Sequence, residues 1–272
     1  MKEIMKKIRK GNINYNLWIG AILSGGILLI MLIGLVFQPY DPEAMDITLK
    51  HASASFAHPF GCDNYGRDIF TRVMVGARTT FLVALGTVGI GAGTGILIGA
   101  FTGYFGGWID EVLMRIMDAL YAFPSILLAL VVIGLLGSGK NQVIIALGIA
   151  FIPSFARVVR SEFLKQKEMD YVKNVRIMGC SHIRIMFVHI LPNTLSILVP
   201  TLMIGFNNAV LAEAGMSYLG IGVQPPDASL GRMLSEAQTY LFSQPSYALF
   251  VGMTIVILVL GFSLLADGLR KE

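Results

Sequence analysis

The sequence is poor in charge. Of its 272 residues, 14% are charged and 55% are hydrophobic, and the mean hydropathy is +0.70. A soluble domain of ordinary composition carries about 25% charged residues, because its surface must stay hydrated. The composition therefore excludes an ordinary soluble domain and favours an integral membrane protein. Because the basic residues lie beside apolar runs, the net charge of +4 does not indicate nucleic acid as a partner.

Cysteine is also scarce, and the residues that usually carry metal or enzyme chemistry are scattered. Cys62 and Cys180 are too few for a disulfide framework, and the topology given below puts them on opposite faces of a membrane, so we expect no bridge. The histidines form no H-E-x-x-H motif; they are His51, His58, His182 and His189. We therefore expect no metal site, no cofactor bound by this chain and no enzymatic activity.

Six apolar runs are present, and each is a candidate for a membrane-spanning helix, which needs about 20 mostly apolar residues. They are Leu17–Phe37, Thr80–Phe101, Ala119–Leu136, Val143–Ala156, Thr194–Ala212 and Tyr247–Ala266. The third contains Pro124, and the short fourth contains Pro153. The first is too long for the apolar part of a secretory signal, so we interpret it as an uncleaved span. The sequence therefore predicts an all-α membrane protein with six transmembrane helices.

The distribution of Lys and Arg predicts the orientation, because cytoplasmic segments retain these residues. With the N-terminus inside, the outer segments hold only six of the 21 basic residues, which are Lys50, Arg67, Arg72, Arg78, Lys140 and Arg232. The predicted segments are then a cytoplasmic N-terminus at 1–16, a first span at 17–37, an extracytoplasmic loop at 38–79, a transmembrane core at 80–267 and a cytoplasmic C-terminus at 268–272. The core includes a cytoplasmic loop at 160–193.

Glycine recurs at every fourth position in the second run. The residues are Gly91, Gly95, Gly99 and Gly103. Small residues at this spacing let a neighbouring helix approach closely within a membrane. The stripe therefore predicts tight helix packing.

One short stretch imitates a nucleotide-binding loop. Gly134–Lys140, GLLGSGK, matches G-x-x-x-x-G-K after an apolar run. The next residue is Asn141, so the hydroxyl that would bind Mg²⁺ is missing, and the apolar run is too long for one buried strand. The predicted topology also places the stretch outside, away from cytoplasmic ATP. We therefore interpret it as a Gly/Ser turn between helices.

A carboxylate lies near the outer end of the fifth run. Glu213 follows Asn207 and Asn208, and an ionisable group in or near hydrocarbon is costly unless it meets water, a cavity or a partner. Two interpretations stay open. Glu213 is either solvated at the helix end, or it lines or gates a translocation path together with the two asparagines.

The charged segment Asp170–Asn193, here called the elbow, interrupts the apolar runs. One face of its first helix is apolar at i, i+1, i+4 and i+7, with Tyr171, Val172, Val175 and Met178. Gly179 can take the left-handed conformation that ends a helix, and Ser181 can cap a second helix over Ile183–Ile190. Pro192 ends that helix or opens the next span. The sequence therefore predicts a cytoplasmic helix-turn-helix.

An apolar face on a cytoplasmic helix has to be covered. Lipid headgroups would cover it in an interfacial helix, and a soluble partner would cover it by holding the helix in a groove. The fixed turn favours the partner, because an interfacial helix has no need of a turn held at one glycine.

Four stretches carry a family resemblance. DYVKNVRIMGCSHIRIMFVHILPN, the elbow, resembles the EAA coupling loop of ABC importer permeases, with Gly179 at the motif's glycine and Ile190, Leu191 and Pro192 at its end. FGCDNYGRDIFTRVMVGART (Phe60–Thr79) and AEAGMSYLGIGVQPPDASLGRMLSEA (Ala212–Ala237) are similar to segments of the dipeptide, oligopeptide and nickel permeases of the DppC/OppC type. ADGLR near the C-terminus resembles their closing motif.

The sequence also departs from that family at three places. The Glu-Ala-Ala positions that name the loop hold Lys173, Asn174 and Val175, the tryptophan usual after the two prolines is Leu230, and the chain stops at LRKE. The first departure concerns the contacts with the ATPase, although the apolar face and the glycine turn remain.

The resemblance implies a permease subunit of the bacterial or archaeal cytoplasmic membrane. Its partners would be a second related permease, two ATPase subunits that bind ATP and Mg²⁺, an extracytoplasmic binding protein, and lipid. Coupling to the ATPase would use Tyr171, Val172, Val175, Arg176, Gly179, Leu191 and Pro192. The binding protein would contact Asp63, Gly66, Arg67, Asp68 and Gln224, and the path would include Asn207, Asn208 and Glu213.

Rival classes make different demands on the sequence. An ion-driven secondary transporter usually has inverted repeats and carboxylates near the membrane midplane, and neither is evident here. An intramembrane enzyme needs a nucleophile or a metal cluster within the spans. Within the resembling family, the substrate is a di- or oligopeptide, nickel or a nickel chelate. The lack of a metal-ligand cluster favours peptide.

Overall fold

The fold is helical throughout residues 14–270, the part of the chain that the computed structural model describes. The helices are α1 (Tyr15–Val36), α2 (Ile69–Phe105), α3 (Gly107–Tyr121), α4 (Ser125–Leu136), α5 (Lys140–Gln166), α6 (Asp170–Ile177), α7 (His182–Tyr218), α8 (Leu230–Gln238) and α9 (Pro245–Arg270). Most of the predicted 1–16 segment and the end of the 268–272 segment lie outside the described residues.

Five helices are long and apolar enough to cross a membrane. They are α1, α2, α5, α7 and α9, and their most apolar windows have mean hydropathies between 1.7 and 2.6. The third predicted run, Ala119–Leu136, covers the end of α3 and all of α4, two helices that are bent by 90° at the break between them. The predicted all-α membrane fold is confirmed.

The bend follows from the chain around Pro124. Proline lacks an N–H and disfavours helical conformation in the residue before it, so α3 ends at Tyr121 and a new helix begins at Ser125. The amphipathic α3 is charged along one side, whereas α4 is apolar after its first residue, Ser125. With 12 residues, α4 rises only about 18 Å.

The helix that contains the second predicted span begins before that span. Instead of starting near Thr80, α2 starts at Ile69, where Asp68 Oδ2 accepts a hydrogen bond from Thr71 N at 2.7 Å. The non-helical part of the predicted 38–79 segment therefore ends at Asp68. Arg72, in the first turn of α2, is buried beside Glu236.

The glycine stripe holds α2 against α5, as the sequence predicted. A Cβ atom added to Gly95 would lie 2.6 Å from Phe155 Cβ, and one added to Gly99 would lie 2.5 Å from Ala156 O. A Cβ at Gly103 would lie 2.7 Å from Phe163 Cβ. Because rising numbers on α2 meet rising numbers on α5, the two helices run in parallel.

The bundle has two ends, which the helix directions define. The elbow end carries α6, the last turns of α2, α5 and α9, and Asn14, whose Nδ2 donates to Gly268 O at 2.7 Å. The loop end carries residues 37–68 and 219–244. Both limits of the described chain lie at the elbow end, Cys180 lies there too, and Cys62 lies at the loop end.

Candidate functional site

The first element of the site is the turn of the elbow. At the end of α6, Cys180 N donates to Val175 O at 3.3 Å and Gly179 N donates to Arg176 O at 3.0 Å. This pair of bonds is the Schellman arrangement, which requires a left-handed residue, and Gly179 has φ +78°. The structure thus forms the turn at the predicted glycine.

The second half of the elbow is not a separate helix. A turn at His182–Arg184 and a π-helical stretch at Ile185–Ile190 continue directly into the helix Leu191–Tyr218, so all three form α7. Pro192 lies in the first turn of Leu191–Tyr218 and opens that span. Ser181 stands at the N-cap position, but its side chain makes no capping hydrogen bond. The elbow is therefore one short helix turned back onto the extended end of a span.

The apolar face of α6 is covered by the protein itself. Val172 is 4% exposed, and Tyr171 and Val175 are half-buried against a cluster at the elbow end. That cluster, here called the elbow cluster, comprises Ala100, Tyr104, Val159, Phe163, Ile185, Met186, Ile190 and Leu198. Val172 is part of the bundle's core and is not free to dock, which corrects the expectation for that residue. Tyr171 and Val175 are half-buried at the edge of the cluster, and their contact with an ATPase stays a prediction.

The outer surface of the elbow is apolar at its tip and basic around it. Ile177 is 84% exposed and Met178 is 80% exposed, and Ile183 is exposed beside them. Lys173, Asn174, Arg176 and Arg184 are exposed on the same segment, whereas Leu191 is half-buried and Pro192 exposed further along. The tip, Ile177 with Met178 and Ile183, is therefore the surface that the elbow offers.

A hydrogen bond ties the elbow to α2. Tyr104 Oη and His182 Nδ1 are 2.8 Å apart, and the two rings meet edge to face. Since Tyr104 lies one residue after Gly103 of the glycine stripe, the elbow is attached to the α2–α5 pair. Sequence reasoning missed this contact, because 78 residues separate its partners.

Two ion pairs fix α3 across α5 near the elbow end. Arg160 binds both carboxylate oxygens of Asp110, with Nη2–Oδ2 at 2.6 Å, and Arg157 Nη2 lies 2.7 Å from Asp118 Oδ1. The guanidinium of Arg157 also lies 3.9 Å from the centroid of the Tyr121 ring. The two acids are about two helical turns apart on α3 and the two arginines about one turn apart on α5. Each pair therefore lies on one face of its helix, a pattern from which the ion pairs could have been predicted.

A groove of about 740 Å³ opens midway between the two ends. The 121–126 break between α3 and α4 forms one side, and α5 and α7 form the others. Its wall is mostly apolar, with hydroxyls from Ser125, Ser154 and Thr201 and the amide of Asn208. Pockets that accept small molecules have this composition, an apolar wall with a few polar groups.

The predicted path residues do not lie together. Asn208 lines the groove, but Asn207, rotated by about 100° on the helix, is buried with Oδ1 unpaired. Glu213 is fully buried, with Oε1 accepting from Ser217 Oγ at 2.6 Å. The interpretation of Glu213 as a solvated residue is corrected, since α8 and the 219–229 segment cover this end of α7.

The charged residues of the DNYGRD motif face inward. Asp63, Arg67 and Asp68 are at most 9% exposed, and Asp63 accepts from Arg67 Nε at 2.7 Å. Gly66 is buried too, because a Cβ there would lie 1.8 Å from Asp46 O. These side chains cannot directly contact a separate protein in this conformation, which corrects that expectation. The half-buried Gln224 donates to Gly220 O and Gly222 O within its own loop.

Glu236 joins this motif to α8. Its Oε2 lies 3.0 Å from Arg67 Nη2 and 3.4 Å from Arg72 Nη2. Burial by itself would lower the pKa of Arg67, yet the carboxylates of Asp63 and Glu236 hold that pKa above its ordinary value. Arg67 therefore stays charged inside a compensated cluster that fixes the loop end. Sequence reasoning did not identify Glu236.

Replacing Glu236 by Ala should lower stability by about 3 kcal/mol, because it leaves Asp63 as the one acidic partner of two buried arginines, Arg67 and Arg72. Thermal unfolding of the detergent-solubilised protein measures the loss. Glu111→Ala is the matched control, since Glu111 pairs with Arg115 on an exposed surface and should change little. Equal shifts for the two variants would contradict the structural role of the cluster.

The structure also shows the conformation of the GLLGSGK stretch and the placement of possible metal ligands. The GLLGSGK stretch contains the last residues of α4, a connection at residues 137–139 and the first residue of α5, so a helix and not a strand precedes the turn, as predicted. Within residues 14–270, no group of three His, Cys, Asp or Glu side chains is placed to hold a metal ion.

The fold and the site define a class: a multi-pass helical membrane protein with an internal groove and an exposed elbow at one end. Residues 95–271 match the family described as binding-protein-dependent transport system inner membrane component. The chain belongs to this family, the permease subunits of ABC importers, as its motifs predicted. Such a subunit is the non-catalytic, membrane-spanning component of its system.

Similar proteins support the assignment along nearly the whole chain. The glutathione transport system permease protein GsiD of Pectobacterium atrosepticum is 38% identical over 91% of this chain and 84% of its own length. The dipeptide transport system permease protein DppC of Alkalihalophilus pseudofirmus is 35% identical over 99% of this chain and 88% of its own.

Solved structures share the fold at lower identity. An inward-facing structure of the MetNI methionine ABC transporter gives a TM-score of 0.58 at 20% identity, covering 71% of this chain and 91% of the other. An amino acid ABC transporter crystallised with histidines gives 0.56 at 18% identity, covering 73% and 92%. At this identity, the likeness concerns the fold alone.

Proposed function

We propose that this chain is the permease of an ATP-driven importer for short peptides, glutathione among them. The similar proteins named for glutathione and dipeptide transport support this substrate class. The groove supports it over nickel, because none of its lining residues is His, Cys, Asp or Glu. The partners would be a second related permease, two ATPase subunits and an extracytoplasmic binding protein.

The tip of the elbow is the proposed docking surface for an ATPase subunit, which would bind ATP and Mg²⁺. The observation that carries this proposal is the exposure of Ile177 and Met178 on a helix fixed by Gly179. Apolar side chains that are this exposed are usually buried against another molecule, and a groove on a partner protein would bury them. Arg176 and Lys173 would add polar contacts beside the tip.

The opposite side of the elbow would transmit the movement. Val172 packs into the elbow cluster, which includes residues of α2, α5 and α7. A displacement of α6 would therefore move the helices that line the groove, in the manner of rigid-body alternating access.

The binding protein would meet the loop end through residues other than those predicted. Ile47, Phe56, Tyr65 and Phe242 are exposed there, whereas the DNYGRD charges are buried. In this proposal the buried charge cluster shapes the surface, and the exposed aromatic and aliphatic side chains contact the partner.

Uptake into vesicles tests the proposed function. The permease, reconstituted with its second permease, ATPase subunits and binding protein, should accumulate glutathione or alanyl-alanine only when ATP reaches the ATPase side. A Walker-A lysine variant of the ATPase should abolish accumulation. Uptake without any ATPase, or uptake of nickel and not of peptides, would contradict the proposal.

The proposed orientation places the elbow in the cytoplasm and the loop end outside, with both termini inside. Ser181→Cys on the elbow and Ser53→Cys at the loop end, each with Cys180→Ser, should react with a membrane-impermeant maleimide from opposite sides. We expect Ser53→Cys to react in intact cells and Ser181→Cys only in inside-out vesicles. The reverse pattern would overturn the orientation.

The native Cys62 should not react with the maleimide in that experiment. Its thiol is fully buried, and burial, together with the nearby charges of Asp68 and Asp63, raises its pKa to about 11. At pH 8 only about one thiol in a thousand would be ionised, and the thiolate is the reactive form. The parent protein with Cys180→Ser is the control and should remain unlabelled until it is unfolded.

A further inference from the structure

The wall of the groove carries no fixed charge. Of the residues that line it, only Tyr121 is ionisable, and its phenol is neutral near pH 7. The other polar side chains are those of Ser125, Ser154, Thr201 and Asn208, and the Thr201 hydroxyl already donates to Ile197 O at 2.7 Å. Asn208 thus supplies the one carboxamide on the wall, and it is exposed.

A carboxamide has the same donor and acceptor groups as a peptide bond. Its NH₂ can donate to a peptide carbonyl, and its oxygen can accept from a peptide N–H. Such a contact is available to every peptide whatever its side chains are. A carboxylate or ammonium on the wall would instead attract one charge and repel the other, strongly so in a site with little water.

We propose that the groove passes peptides without regard to their net charge, and that Asn208 contacts the peptide backbone during passage. This inference deepens the proposed function and rests on it. The permease would then accept anionic, neutral and cationic peptides alike, and the binding protein would set any preference among them.

The position of Asn208 favours this role over a structural one. The neighbouring Asn207 is turned into the bundle, whereas Asn208 projects at mid-height into the groove. Ser154 stands on the facing helix α5 and lines the same groove. A charge placed at either position should therefore act on the same passing substrate.

Charge substitutions test the proposal in the reconstituted complex. Uptake of alanyl-glutamate, alanyl-alanine and alanyl-lysine is measured for Asn208→Asp, Asn208→Lys and wild type, and each variant rate is divided by the wild-type rate for the same peptide. This ratio removes the preference of the binding protein. We expect Asn208→Asp to favour the cationic over the anionic peptide by about tenfold, and Asn208→Lys to do the opposite.

Further variants separate the outcomes. Ser154→Asp should repeat the bias of Asn208→Asp from the other wall, whereas Ser196→Asp, exposed on α7 away from the groove, should leave the ratios unchanged. ATPase activity stimulated by the binding protein shows that each complex is assembled. Unbiased loss of all three peptides, or no effect at all because lipid or a partner helix fills the groove, would overturn the inference. Wild-type complex that takes up no peptide would instead refute the proposed function.

Discussion

Gly179→Val should uncouple ATP hydrolysis from uptake while the protein still inserts and assembles. No atom lies within 4 Å of the position that a Cβ would occupy at Gly179, so the substitution causes no clash. Its effect comes from φ +78°, a conformation that is strained for a β-branched residue by about 2 kcal/mol or more. The turn should open and the tip should shift, so we expect uptake to fall at least tenfold at nearly unchanged ATPase activity.

Two variants control for this effect. Gly179→Asn should keep most of the uptake, because asparagine visits the left-handed conformation readily. Gly93→Val adds the same side chain at an exposed helical glycine of α2 where nothing lies within 4 Å, and it should transport normally. Wild-type uptake by Gly179→Val would show that the elbow does not need this turn.

Gly99→Leu should prevent α2 and α5 from packing and should cost the protein its fold. A Cβ at Gly99 would lie 2.5 Å from Ala156 O and 2.7 Å from Val159 Cβ, and the backbone of α5 cannot move aside cheaply. Overpacking of this kind costs on the order of 3 kcal/mol, which is a large part of the stability of a domain. Poor yield and early aggregation on size-exclusion chromatography are the expected results.

The matched control lies on the same helix. Gly89→Leu places an identical side chain at an exposed glycine with nothing within 4 Å, so yield and elution should stay close to wild type. Leucine favours a helix more than glycine does, so helix propensity predicts no loss in either variant. If both variants were lost alike, the added apolar side chain itself, and not the close approach to α5, would explain the loss.

The sequence was sufficient for features that depend on local pattern. The apolar runs located the spans, and the four-residue glycine spacing predicted the close helix contact. Gly179 was identified because a glycine after an amphipathic turn is the usual end of a helix. In each case, the physical requirement acts within a few residues of the signal.

The covering of α6 could not be predicted in the same way. The i, i+4 pattern of Tyr171, Val172 and Val175 correctly indicated an apolar face, but the pattern is the same whether a partner or the chain itself covers that face. The elbow cluster that covers it comes from α2, α5 and α7. Only the path of the chain in three dimensions decides between the two.

The prediction that the charged residues around Asp63 lie at the surface was wrong for a related reason. Charged residues in a loop were expected at the surface, but Arg67 and Arg72 find Glu236 more than 160 residues away. A buried charge is tolerated when such a partner exists, and no local signal announces it. The same pairing lets Arg72 lie buried in the first turn of α2, whose start at Ile69 is capped by Asp68.

The parallel course of α2 and α5 has a topological consequence. Helices joined by a short turn run antiparallel, so two parallel neighbours need a crossover that travels the full height between them. Here α3 and α4 form this crossover, and α4 packs against α5. The groove therefore lies beside the crossover and not between α2 and α5. The groove and the glycine contact meet at Phe151 and Phe155, which line the groove and also pack against Gly91 and Gly95. Those two phenylalanines are therefore constrained by helix packing, whereas the α4 and α7 walls of the groove can change through evolution without loosening the contact that holds α2 against α5.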